Sequence, residues 1–147
     1  MGTAPGLRLD QTTYDAMLAQ CREEHPYEAC GMVTGPDRES AARFVPMRNA
    51  AHSTTFYTYD SKDLLALYRD LDDREEVPVV IYHSHTASEA YPSARDIALA
   101  GEPDAHYVVV STRAEHRDDV RSFQIVDGLV TEEPIEIVPS APDPHIR

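Results

Sequence analysis

Apolar positions recur along this chain in two periods, and the change from one to the other marks its elements. Between residues 10 and 25, Tyr14, Met17, Leu18 and Cys21 fall at i, i+3, i+4 and i+7, the spacing of one helix face, which Asp10 or Thr12 can cap. Pro26 ends that helix, because a proline disfavours helical backbone in the residue before it. Cys30–Thr34 reads as a short buried strand closed by Gly35-Pro36, and Ser40–Pro46 as a second strand. Arg48–Thr54 is polar and irregular, with His52 expected at the surface, and Phe56–Tyr59 alternates weakly, as an extended segment does. Asp60 then opens a helix whose Leu64, Leu67, Tyr68 and Leu71 repeat at helical spacing, with Asp63 favoured in the first turn by the helix dipole.

The second half has more strand character. Val77–Tyr82 is an apolar run of strand length, Ser93–Ala100 a short helix, and His106–Ser111 a β-branched run expected to be a central strand with His106 packed at its start. Asp127-Gly128 is the strongest turn signal in the chain and predicts a hairpin joining Val120–Val126 to Leu129–Val138. This order implies an α/β domain over residues 1–138, a mixed sheet flanked by helices. Residues 139–147, with three prolines, are expected to form a mobile tail.

Composition narrows the function. Thirteen Lys+Arg against 26 Asp+Glu give a net charge of −13, which opposes nucleic-acid binding and suits a basic patch on a protein partner. No apolar run reaches membrane-span length and residues 1–8 lack a signal-like hydrophobic segment, so the expectation is a cytoplasmic protein without membrane association. Cys21 and Cys30 match no metal-ribbon spacing and read as buried thiols. Nothing in the pattern specifies the oligomeric state.

The chemistry concentrates in His83-Ser-His-Thr-Ala-Ser-Glu-Ala-Tyr-Pro-Ser-Ala-Arg-Asp96. If the strand runs through it, His83 and His85 leave on one face, where a single metal ion could meet both, while Ser84 points to the other face and packs. After ten intervening residues, enough for a returning loop, Asp96 could close a His-His-Asp set in the first turn of a helix. Three protein ligands with a fourth position open to water is how catalytic zinc is held. Ser93 and Asp96 also form a Ser-x-x-Asp capping pattern, and the two readings are compatible because a cap would fix the ligand.

The pattern His-x-His, seven residues, Ser, two residues, Asp resembles the signature of the JAMM (MPN+) metallopeptidases. Glu28, in His25-Pro-Tyr-Glu-Ala-Cys-Gly31, stands where that family carries an upstream catalytic glutamate, and Asn49 to Asp60 is similar to its linking segment. Ile81–Ser93 and Pro103–Thr112 look like the bacterial Mec-type members, and Thr86 stands where many JAMM proteins have proline, a change that the Mec-type proteins share. The resemblance spans about Leu9 to Val138 and implies the JAMM/MPN fold, similar in outline to cytidine deaminases. Zinc deaminases themselves are excluded by the missing H-x-E and P-C-x-x-C elements.

The resemblance implies one Zn2+ per chain on His83, His85 and Asp96, with Glu28 as general base and acid and Ser93 as oxyanion donor. Tyr82, Thr86 and Tyr91 are expected to line the substrate groove. The implied substrate is a ubiquitin-like sulfur-carrier protein whose C-terminal Gly-Gly is joined to cysteine, so that hydrolysis releases cysteine. Two alternatives stand beside it: a JAMM isopeptidase or processing protease for another ubiquitin-like protein, and a non-catalytic scaffold of the same fold.

Overall fold

A computed structural model describes residues 6–114 and 119–140. The elements run β1 (Leu7–Asp10), α1 (Gln11–Glu24), β2 (Cys30–Gly35), β3 (Arg43–Met47), α2 (Ser61–Arg74), β4 (Val77–His85), α3 (Ala94–Leu99), β5 (His106–Ser111), β6 (Asp119–Val126), β7 (Leu129–Glu133) and β8 (Ile135–Val138). Six strands form a mixed sheet in the order β3-β2-β4-β5-β6-β7, and β1 pairs in parallel with β8 as a separate ribbon. Within the large sheet only β4 and β5 run parallel.

Both long helices start where expected. The Asp10 carboxylate accepts from Thr13 N at 2.7 Å, and Asp60 accepts from Lys62 N and Asp63 N, so each aspartate satisfies N–H groups that the first helical turn leaves open. The predicted turn holds too: Asp127 and Gly128 both have positive φ, which a two-residue hairpin with right-handed twist demands.

The predicted second arm Leu129–Val138 is not one strand. Pro134 carries no N–H for a sheet ladder, and there the chain leaves β6 and continues as β8 against β1, with Leu7 N donating to Pro134 O at 2.9 Å. No sequence signal marks strand β1, because four residues hold too few alternations to stand out and its partner lies at the other end of the chain. Of the expected mobile tail, residues 141–147 lie outside the described residues; Ser140 Oγ accepts from Thr12 N at 2.9 Å.

The sheet separates two cores. On one face Val80, Tyr82, Val108 and Val110 pack with Leu7, Leu9, Met17, Leu18 and Cys21 from β1 and α1. On the other, Cys30, Met32, Ile81, Tyr107 and Val109 pack with Leu67 and Leu71 of α2. Period-two alternation therefore sends the odd positions of β4's second half, from Ile81 onward, toward α2 and α3. His83 and His85 continue that odd-numbered row at the strand's end.

Candidate metal centre

Strand β4 runs three residues beyond its apolar stretch, to His85, and its register with β2 and β5 holds both histidines in the ladder, His83 opposite Cys30 and Val109, His85 opposite Ser111. Both are buried. The loop after β4 returns to place α3 over this face. Ser93 caps α3 with its Oγ accepting from Asp96 N at 3.1 Å, while Asp96 Oδ2 accepts from Ser93 N at 2.8 Å. The capping box is thus formed, and it fixes the carboxylate that faces the histidines.

Three donor atoms converge. His83 Nε2 lies 3.1 Å from His85 Nε2 and 3.0 Å from Asp96 Oδ2, and His85 Nε2 lies 3.1 Å from the same oxygen. Zinc bonds of about 2.0–2.1 Å at tetrahedral angles set neighbouring donors about 3.3–3.4 Å apart, so this triangle fits one face of such a tetrahedron. The second nitrogen of His85 donates to the Glu89 carbonyl, Nδ1 to O 2.9 Å, which leaves Nε2 of the neutral ring as a lone-pair donor. Tyr57 stacks on His83 with ring centroids 4.8 Å apart. Among the described residues this is the one group of His, Cys, Asp or Glu that could hold a metal ion.

The electrostatics favour the ligand forms of His83 and Asp96, while His85 is pulled the other way. Burial disfavours the imidazolium of His83 and prevails over the attraction of Asp96, so its pKa is lowered. Burial also works against charge on His85, but the bonds to Asp96 and Glu89 outweigh it, and its pKa is raised. Burial pushes the Asp96 carboxyl upward, yet the two histidines hold it well below the ordinary carboxylate range. Cys21 and Cys30 are buried free thiols, both pushed up to about 12 chiefly by burial, and neither joins the cluster.

Glu28 sits just ahead of β2 and is only 4 % exposed. Its backbone is held on both sides, N donating to Ser53 O at 2.9 Å and O accepting from Asn49 Nδ2 at 3.0 Å. Its carboxylate has no hydrogen-bond partner among the described residues. Burial raises its pKa to about 7, opposed by the nearby His85 and reinforced by Asp96. A desolvated carboxylate close to neutrality is suited to moving protons at neutral pH.

The groove residues divide. Tyr82 is on the opposite face of β4, fully buried, with its hydroxyl donating to Gln20 Oε1 and its ring stacked on Phe44. It cannot line a groove on the histidine face, and this corrects the expectation: strand alternation turns every even position of this run inward under α1. Gly31, paired with Tyr82, leaves the room its phenol needs. Thr86 is half-buried, its hydroxyl donating to Thr54 O at 3.0 Å, and Tyr91 is 40 % exposed against Phe123.

Three further residues shape the site. Asn49 binds Glu28 O and Phe56 O through Nδ2 and accepts from Ala51 N and Thr58 N through Oδ1, a four-bond clamp on the segment around Glu28. Tyr57 covers His83, and Ser84 ties β4 to Ala29. Only a long-range contact distinguishes Asn49 from any loop asparagine, so no local signal exposed it.

A family model described as prokaryotic homologs of the JAB domain matches residues 10–126. The CysO-cysteine peptidase of Mycobacterium tuberculosis is 54% identical over 138 residues, 93% of this chain and 94% of that protein. The desampylase of Haloferax volcanii is 29% identical over 115 residues, 74% of this chain and 83% of that protein. The solution structure of a protein from Desulfitobacterium hafniense superposes with a TM-score of 0.77 at 29% identity, over 91% of this chain and 94% of that one.

Proposed function

Since the chain belongs to the prokaryotic JAB-domain family and is a peptide-bond hydrolase, we propose that it is a zinc peptidase that frees cysteine from the C-terminus of a ubiquitin-like sulfur-carrier protein. The observation that carries this is the donor triangle of His83, His85 and Asp96 with buried Glu28 beside it and outside it. A scaffold has no need of either. The similarity to a CysO-cysteine peptidase supports the cysteine conjugate over other ubiquitin-like substrates. Two free cysteines fit a reducing compartment, and we place the activity in the cytoplasm.

His83, His85 and Asp96 would hold the zinc, which when bound supplies Lewis acidity to the attacking water and the scissile carbonyl. Glu28 removes a proton from that water, whose oxygen forms the new bond to the carbonyl carbon of the last glycine. The carbon–nitrogen bond to cysteine then breaks, and Glu28 returns the proton to the departing amine. Ser93 Oγ accepts from Asp96 N, which leaves its own proton to donate to the oxyanion of the tetrahedral intermediate. Capping and catalysis thus use different valences of one hydroxyl.

Mass spectrometry of products tests the reading. CysO carrying C-terminal cysteine is expected to yield carrier ending in Gly-Gly plus free cysteine, faster than an isopeptide-linked ubiquitin-like dimer is cut. Faster cleavage of the isopeptide would favour the activity suggested by the desampylase similarity, and no cleavage of either by zinc-loaded protein would return the chain to a scaffold.

A further inference from the structure

Beside the donor triangle opens a cavity of about 170 Å³ whose wall includes His83, Asp96, Tyr57, Leu99, Val109 and Arg95. Most of it is apolar or aromatic. Arg95 is the one basic side chain in that wall, and it follows directly from the chain order that the cation and the ligand Asp96 are neighbours in the first turn of α3.

The state of Arg95 is unusual for this molecule. With 26 acidic residues to 13 basic ones, most arginines find carboxylates: Arg43 bonds Asp70 and Glu76, Arg48 bonds Asp60 and Asp63, and Arg121, near Tyr91, bonds Glu132 twice. Arg95 has no ion pair among the described residues. Instead its guanidinium lies over the Phe56 ring, 4.6 Å from the centroid. That contact leaves its N–H groups without a carboxylate among the described residues, and a guanidinium can bind a carboxylate through two parallel hydrogen bonds.

We propose that Arg95 binds the α-carboxylate of the amino acid being released, so that the site selects a C-terminal residue over one linked through its side chain within a longer chain. This rests on the peptidase reading above and adds to it a residue that sets specificity. A terminal cysteine brings one negative charge and a small, weakly polar side chain, and the pocket offers one free cation and an apolar floor to match them. An isopeptide-linked lysine inside a protein brings no carboxylate at that place. Phe56 acts as a positioning residue, holding the guanidinium at the pocket wall.

The test compares two substrates, CysO ending in cysteine as the free acid and the same conjugate ending in cysteinamide. Wild type is expected to prefer the acid by ~10–100-fold in kcat/KM, the worth of a charge-assisted hydrogen-bond pair. Arg95→Gln should lose that factor on the acid, mainly through KM, and leave the amide nearly unchanged; Phe56→Leu should shift the same ratio by less. Equal rates on acid and amide in wild type, or an equal drop on both in Arg95→Gln, would overturn the proposal. Affinities of the two conjugates for Glu28→Gln protein, with and without Arg95→Gln, give the same comparison without turnover. If wild type cut neither conjugate, the peptidase reading would fail, while equal binding of acid and amide would separately refute the role of Arg95.

Discussion

Ser84 lies between the two histidines in sequence but behind them in space, where its Oγ accepts from Ala29 N at 2.8 Å and its own N donates to Ala29 O at 3.0 Å. Ala29 follows Glu28, so one strand carries both metal-ligand candidates on its front and the tether of the proposed proton carrier on its back. Alternation along β4 thereby sets the distance between the two halves of the site.

Ser84→Ala should therefore do more than loosen the core. It leaves Ala29 N buried and without its partner, a cost of about 1–3 kcal/mol, and it frees the backbone that presents Glu28. Thermal melts are expected to show the loss of stability, and turnover should fall more steeply than metal content, which depends on the other face.

Metal content should follow the donor triangle. His83→Ala or Asp96→Ala is expected to abolish a stoichiometry of about one zinc per chain, a catalytic site needing all three protein ligands. Cys21→Ser and Cys30→Ser should retain the metal, which elemental analysis of the purified variants reads directly. Stoichiometric zinc in a His83→Ala, His85→Ala double variant would refute the assignment.

The raised pKa of Glu28, about 7 against an ordinary 4.5, makes it a cost to stability in the metal-free protein. The folded state holds the proton more tightly than the unfolded state, so the favourable contribution is full below about pH 4.5 and is lost as pH rises through about 7. Above that, a buried charge must be maintained. Metal-free Glu28→Gln should then be more stable than metal-free wild type at pH 8 by about 3 kcal/mol, with the advantage vanishing near pH 4. Denaturant titrations at the two pH values measure it; an advantage independent of pH would point to packing instead.

Ser93 should show two separable losses. Ser93→Ala removes a helix cap worth about 1 kcal/mol and the proposed oxyanion donor worth about 10²–10³-fold in kcat. Ser93→Thr keeps a hydroxyl for both tasks and should recover most of the stability and part of the rate. A rate in Ser93→Ala within a few-fold of wild type would confine Ser93 to capping.

Much of this architecture was legible because its signals are local. Asp10 and Asp60 announce their helices, Asp127-Gly128 its turn, and His-x-His on an apolar run its common face. What was hidden depends on distant partners: β1 needs β8, Asn49 needs the backbone of Glu28 and Phe56, and the break at Pro134 matters only because β8 has another strand to join. Tyr82 is a different case: it adjoins His83 in sequence, but adjacent strand residues face opposite ways, and the rule that pairs the histidines excludes their neighbour from the groove.

If Glu28 moves the proton without holding the metal, Glu28→Gln will separate the two when zinc content and rate of cysteine release are measured on the same preparation. Glutamine keeps the size and removes the base. Zinc is expected to persist at about one per chain while the rate falls by at least ~10²-fold. An unchanged rate, or loss of the zinc together with the rate, would contradict it.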